Sequence, residues 1–244
     1  MVRSVLSVVT LAVFAGSASA GVITATYVGQ GAGSNQLVAY SPSASWNTTP
    51  SGPFYSVKAR EHQFTTADGS YTTWCIQLYQ GLGIGMTYNF AEVDAQNAPT
   101  APPSPGPMGS VRAEIAADAF ARWTNLDGSI LAGIDATETN NRAAAFAALL
   151  WELTHENFTA TTREGIVGQM SLSMGALRAN LTAGAVAWYN QMYASLGSGG
   201  WITSDIIGWV NSTAQDQLVR VPAPGAVALL GLAGLAVGRG RRRA

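Results

Sequence analysis

Ala98-Pro99-Thr100-Ala101-Pro102-Pro103-Ser104-Pro105-Gly106-Pro107 places five prolines in ten residues. Proline lacks an amide hydrogen and fixes φ, so no helix runs through this stretch, and it reads as an extended connector. The chain differs in kind on its two sides. Upstream, residues 22–28 (Val-Ile-Thr-Ala-Thr-Tyr-Val) are rich in β-branched side chains, which suit a pleated backbone. Residues 54–59, 62–66 and 71–78 repeat that character between Gly, Ser, Pro and Asn turns, and a further strand is expected near 86–93. Asp68-Gly69 between two of these runs signals a hairpin.

Downstream the period changes. Residues 110–125 open on Ser110, a capping residue, and space Val111, Ile115, Ala119 and Trp123 along one helical face. Residues 139–156 contain nine consecutive apolar positions, 143 to 151, the mark of a helix packed on several sides. Residues 175–196 set Leu177, Leu181, Ala185, Trp188, Met192 and Leu196 on one helical stripe. Residues 202–210 suit a short helix or a strand, and 217–221 a closing strand. The expected fold is α+β. A β-rich sandwich or barrel half (21–97) leads through the connector (98–107) to a helical half with a closing strand (108–220).

The 244 residues are 48% hydrophobic and only 11% charged, with seven Trp and eight Tyr, a composition that disordered chains lack. The net charge of −1 conceals an asymmetry. Residues 21–219 hold all fourteen acids against seven bases, a body charge of −7, while four arginines crowd the last six positions. An acidic body repels phosphate backbones, so nucleic acid is not an expected partner. A single cysteine excludes an internal disulfide framework and any Cys₂ or Cys₄ zinc site.

Both ends carry addresses. Residues 1–20 join a basic Arg3 to an apolar run over 5–15 and close on Ser17-Ala18-Ser19-Ala20. Small residues at 18 and 20 make this a signal peptide with cleavage expected before Gly21. Residues 221–244 join Val221-Pro222-Ala223-Pro224, a run of apolar and glycine residues over 226–238, and Arg239, Arg241, Arg242 and Arg243. A helix from 224 to 238 would span roughly 22 Å, against a hydrocarbon core of about 30 Å. Snorkelling arginines extend that reach, and they hold the extreme C-terminus in the cytoplasm with the body outside.

This layout resembles the PEP-CTERM sorting signal of bacteria, with Ala223 where the family's Val-Pro-Glu-Pro motif has Glu. The resemblance implies a membrane-tethered precursor held in the inner membrane by its C-terminal helix. It also implies recognition by an exosortase-type processing enzyme and delivery to the cell surface or extracellular matrix.

Cys75 lies in Thr73-Trp74-Cys75-Ile76-Gln77-Leu78, among strand-type residues. It is a buried filler, a candidate reactive thiol or half of an unusual crosslink, and no neighbour in sequence supplies the cation that would lower its pKa. The aromatic-Cys-Ile strand, Pro107-Met108-Gly109 before a helix, and Ala144-Ala145-Phe146 leading to Leu150-Trp151-Glu152 resemble the thioester domain of bacterial surface adhesins. The resemblance covers about residues 22–160. In that family the strand cysteine bonds to a helix Gln and awaits an amine. Here the Gln position is Ala147, whose methyl cannot be acylated. The resemblance therefore implies the scaffold without the crosslink. An exported, structural or adhesive, non-enzymatic protein is expected, with a covalent adhesin using Cys75 or a polysaccharide-binding module as alternatives.

Other constellations are thin. Glu152 and His155 share a helix face and could join Cys75 as a nucleophile set; otherwise they are polar groups at a helix C-terminus, where the dipole favours an imidazolium. His62 is the only other histidine, too few for a His-based metal site. The sequence contains no nucleophile elbow, dinucleotide fingerprint or P-loop, so no cofactor is expected. Gly81-Leu82-Gly83-Ile84-Gly85 joins two strands and reads as a loop. Trp201 and Trp209, in a Gly/Ser-rich region, are candidate glycan-stacking platforms for an extracellular polysaccharide.

Overall fold

A computed structural model describes residues 21–100 and 106–221. Residues 1–20, the expected signal peptide, connector residues 101–105, and Pro222, Ala223, Pro224, Arg239, Arg241, Arg242 and Arg243 of the expected sorting tail lie outside the described residues. The described chain is α+β, with one seven-stranded antiparallel sheet and four α-helices.

The strands are β1 (Val22–Tyr40), β2 (Tyr55–Thr66), β3 (Gly69–Cys75), β4 (Thr87–Asp94), β5 (Leu177–Asn180), β6 (Ile206–Val210) and β7 (Gln217–Arg220). Their order is β2-β3-β7-β6-β4-β1-β5, and β1 also pairs with β2. The first six strands therefore form a closed circuit, with β5 added outside it on β1. Closure depends on the length of β1. Its start pairs with β4 through Val22–Thr26, and its remainder pairs with β2 from Thr26 to Val38. Register shifts after Tyr27 and after Gln30 bend it. Gly33 is required there: at φ +141°, a β-carbon would fall 2.2 Å from the Ala59 carbonyl oxygen.

The helices are α1 (Gly109–Trp123), α2 (Ala136–His155), α3 (Arg163–Gln169) and α4 (Ala183–Ser195). All but the first turns of α2 is buried. It packs Phe146 edge-on to Trp74 of β3 (4.7 Å) and Phe120 of α1 (5.1 Å). One core joins this helix to the outer face of the sheet through Ala59, Trp74, Ile76, Leu149 and Leu150. Buried Glu61 of β2 laces the layers, accepting from Ile130 N–H (2.7 Å) and from Ala32 N–H in the β1 bend (3.0 Å). The residues after the connector are thus more than a helical half. They supply β5, β6 and β7, and β6 and β7 complete the circuit between β3 and β4.

Several elements differ from expectation. The stretches 54–59 and 62–66 form one strand, β2. The helical stripe over 175–196 divides into β5 and α4. Leu177 and Leu181 are four apart, and that spacing puts them on one face of a helix or of an extended chain alike. Helix α3 carries two glycines in seven residues and escaped the periodicity; Thr162 caps it by accepting from Gly165 N–H (3.2 Å). No helix among the described residues is long and apolar enough to cross a membrane.

Candidate functional site

The inside of the circuit has two ends. Alternation sends Ala25 and Tyr27 of β1, Phe64 of β2, Phe90 of β4, Trp209 of β6 and Val219 of β7 inward, where they form a second buried cluster. Phe64, Phe90 and Trp209 are mutually packed at 5.6–6.1 Å. This end is apolar and filled.

Two residues further along the same strands the lining turns polar. His62 follows from Phe64, Gln217 from Val219, and Thr73 and Cys75 from Tyr71. Gln217 Oε1 accepts from Thr73 Oγ1 (2.9 Å) and lies 3.0 Å from His62 Nδ1, while Gln217 Nε2 donates to Gln215 O (3.0 Å). Because the carbonyl oxygen can only accept, Nδ1 carries the histidine's hydrogen. Burial lowers the His62 pKa to about 4, so the ring is neutral. Beyond this network the circuit opens into a cavity of about 240 Å³ walled by Tyr27, Gln30, Lys58, His62, Trp151 and Gln215, among others.

Cys75 closes β3 opposite Gln217 in the ladder. Its thiol is buried and unoxidised. The S–H donates to Gln77 O (2.9 Å), and Gln77 N–H donates to the sulfur (3.4 Å). Burial pushes the thiol pKa up to about 12, outweighing the N–H and indole donors that favour thiolate. Trp151 Nε1 donates to the Cys75 carbonyl (2.9 Å), which docks α2 over the end of β3. Ala147 lies one helical turn before Trp151 and is 2% exposed. Ala147 is therefore buried on the helix face that meets this strand. Gln77 is fully buried, and neither atom of its side-chain amide has a partner among the described residues.

Cys75, His155 and Glu152 do not assemble as a nucleophile set. His155 Nδ1 contacts Thr154 Oγ1 (2.8 Å) and Trp151 O (3.2 Å), and its ring stands edge-on to Tyr40. Glu152 Oε1 accepts from Ser171 N–H (2.7 Å), and burial raises its pKa well above the usual carboxylate range. The expected imidazolium at the end of α2 is also corrected. Burial lowers the His155 pKa to about 3, so the ring stays neutral. The cation at that helix end is Arg112 of α1, whose guanidinium donates to the carbonyls of Leu153 (3.3 Å) and Glu156 (3.4 Å).

The tryptophans divide. Trp209, expected at the surface, is 1% exposed inside the circuit and offers no face to a glycan. Trp201 is half-buried and occupied: Nε1 donates to Glu164 (2.7 Å), the Arg163 guanidinium sits 4.8 Å from the ring centroid, and Gly197 lies close enough that a β-carbon there would meet the indole at 2.9 Å. Gly81–Gly85 is a loop, as read, beside the cavity. Among the described residues no three His, Cys, Asp or Glu side chains gather to hold a metal ion. Val221 donates its N–H to Asp205 O (2.9 Å) beside the end of β7.

The polar lining of the circuit escaped sequence reading because its members are remote. His62 and Thr73 lie 155 and 144 residues from Gln217. Comparison of the chain with protein-family profiles, curated proteins and solved structures finds no match.

Proposed function

We propose that this protein is exported by its N-terminal signal peptide, held in the bacterial inner membrane by its C-terminal apolar helix, and sorted by an exosortase-type enzyme. Its folded body then serves at the cell surface or in the extracellular matrix as non-enzymatic, adhesive architecture on a barrel-like sheet. One observation carries the molecular part of the reading. The only thiol is sealed, hydrogen-bonded to a carbonyl two residues away, and its pKa is pushed up to about 12, and the thioester-domain resemblance puts Ala147, which has only a methyl, where the acyl donor would be. A thiol in that state is a poor nucleophile at neutral pH. The address rests on the sequence of the two ends.

Expression with and without residues 221–244 tests the address. The full chain should reach the surface, and the truncated chain should not be retained there. Equal surface delivery of both forms would refute a sorting role for the tail. The covalent-adhesin alternative requires an acyl donor for Cys75; Ala147 supplies none, and Gln77 meets the thiol through its backbone carbonyl and N–H.

A further inference from the structure

The cavity at the mouth of the circuit has a donor–acceptor pattern that specifies a ligand. At about 240 Å³ it lies below the roughly 300–1,000 Å³ of drug-sized sites, so its occupant is a single small ring or a molecule of that size. His62 is 4% exposed and forms part of the wall. Its Nδ1–H is spent inward on Gln217, whose own N–H is spent on Gln215 O. The neutral ring therefore keeps a lone pair on Nε2 that can accept a hydrogen bond, and no hydrogen bond among the described residues engages it. A ligand reaching it must bring a hydroxyl or another donor.

Lys58 supplies the complementary demand. It lies four residues before His62 on the same face of β2, and its charge bears on the His62 ring. Three arginines of the acidic body are paired with carboxylates: Arg122 with Asp118, Arg142 with Glu138 and Arg163 with Glu114. Among the described residues no hydrogen bond or ion pair engages the Lys58 ammonium. An exposed cation beside a buried acceptor, at a cavity one ring wide, fits a molecule bearing a carboxylate and hydroxyls together.

We propose that the mouth of the closed sheet binds one sugar-acid unit, its carboxylate on Lys58 and a hydroxyl donating to His62 Nε2. The unit is either a free uronic acid or the terminal uronic acid of an otherwise neutral polysaccharide, because the acidic body repels a polyanion. This inference does not depend on how the chain is sorted. Its failure would leave the address intact, and loss of the address would leave it standing.

The test uses the full-length chain in mild detergent, titrated calorimetrically with glucuronate, a short oligomer of neutral sugars ending in one glucuronate, glucose and acetate. Glucuronate should bind at least about tenfold more tightly than glucose, which lacks the carboxylate, or acetate, which lacks the hydroxyls. Lys58→Met, at an exposed position, should keep the melting temperature and weaken glucuronate about tenfold. The ¹⁵N resonance of His62 Nε2 should move when glucuronate is added to the unaltered protein. Binding of the oligomer as tight as that of the monomer supports a polymer end; binding of the monomer alone supports a free acid. Equal binding of glucose, an unaffected Lys58→Met variant, or a stationary Nε2 resonance would overturn the proposal.

Discussion

Strands β2, β3 and β7 line both ends of the circuit's interior, yet the two ends are built on opposite principles. At one end Phe64, Phe90 and Trp209 fill the space with fully buried rings, and shape alone selects them. At the other, His62, Thr73, Gln217 and Cys75 are nearly as buried but are held by directional bonds. An apolar end stabilises without specifying chemistry. A polar end stabilises only while every donor keeps its acceptor, and what it leaves over, such as the second nitrogen of His62, is available to a ligand. The first end secures the closed sheet, and the second gives it a mouth.

Substitutions should separate the two ends. Trp209→Ala empties the largest inward ring and should cost about 4 kcal/mol in urea unfolding, as buried Trp truncations do. A loss near that of a surface position would show that the apolar end does not hold the circuit closed.

Acid should act on the polar end. The folded pKa of His62, about 4, lies below the ordinary value of 6.5, so its contribution is complete above pH 6.5 and is lost as the pH falls toward 4. The stability of the wild type relative to His62→Gln should fall by roughly 3 kcal/mol between pH 7 and pH 4. Glu152, whose pKa burial raises, runs the other way in the whole protein, favouring the fold at low pH and losing that advantage as the pH rises. The difference between variants isolates the histidine. A pH-independent difference would contradict a buried neutral ring.

Gln217→Leu removes the oxygen shared by Thr73 and His62 and should cost about 2 kcal/mol, from leaving buried donors unpaired. Thr73→Val in the same background should then cost less than it does alone, because the two groups share one bond network. Additive losses would show that the network is not a unit. The smallest effect is expected at Cys75→Ala, about 1 kcal/mol, since the thiol acts as a small apolar filler with one weak donor bond.

The apolar parts of the fold were the readable ones. The nine apolar residues from 143 to 151 announced α2, and Asp68-Gly69 announced the β2–β3 hairpin. Boundaries moved where a cap was overlooked. Asp135 accepts from Glu138 N–H (2.7 Å) and starts α2 at Ala136, ahead of the apolar run. Strand β1 read as far shorter because Gly29, Gly31 and Gly33 resemble turn residues, whereas here they permit the bend that closes the sheet. Trp209 drew a surface reading from its Gly/Ser neighbourhood, but burial follows from strand pairing, and β6 lies between β4 and β7. Of the residues that hold the polar end, the sequence singled out Cys75 for its chemistry. The partners that define its chemistry come from strands that meet through long-range pairing, which local periodicity does not record.

Intact-mass analysis combined with thiol alkylation tests whether Cys75 is a sealed, unacylated thiol. The chain should have its full mass, form no adduct with methylamine, and be alkylated at Cys75 only after unfolding. A chain lighter by one ammonia, or one that takes up methylamine in the native state, would contradict it.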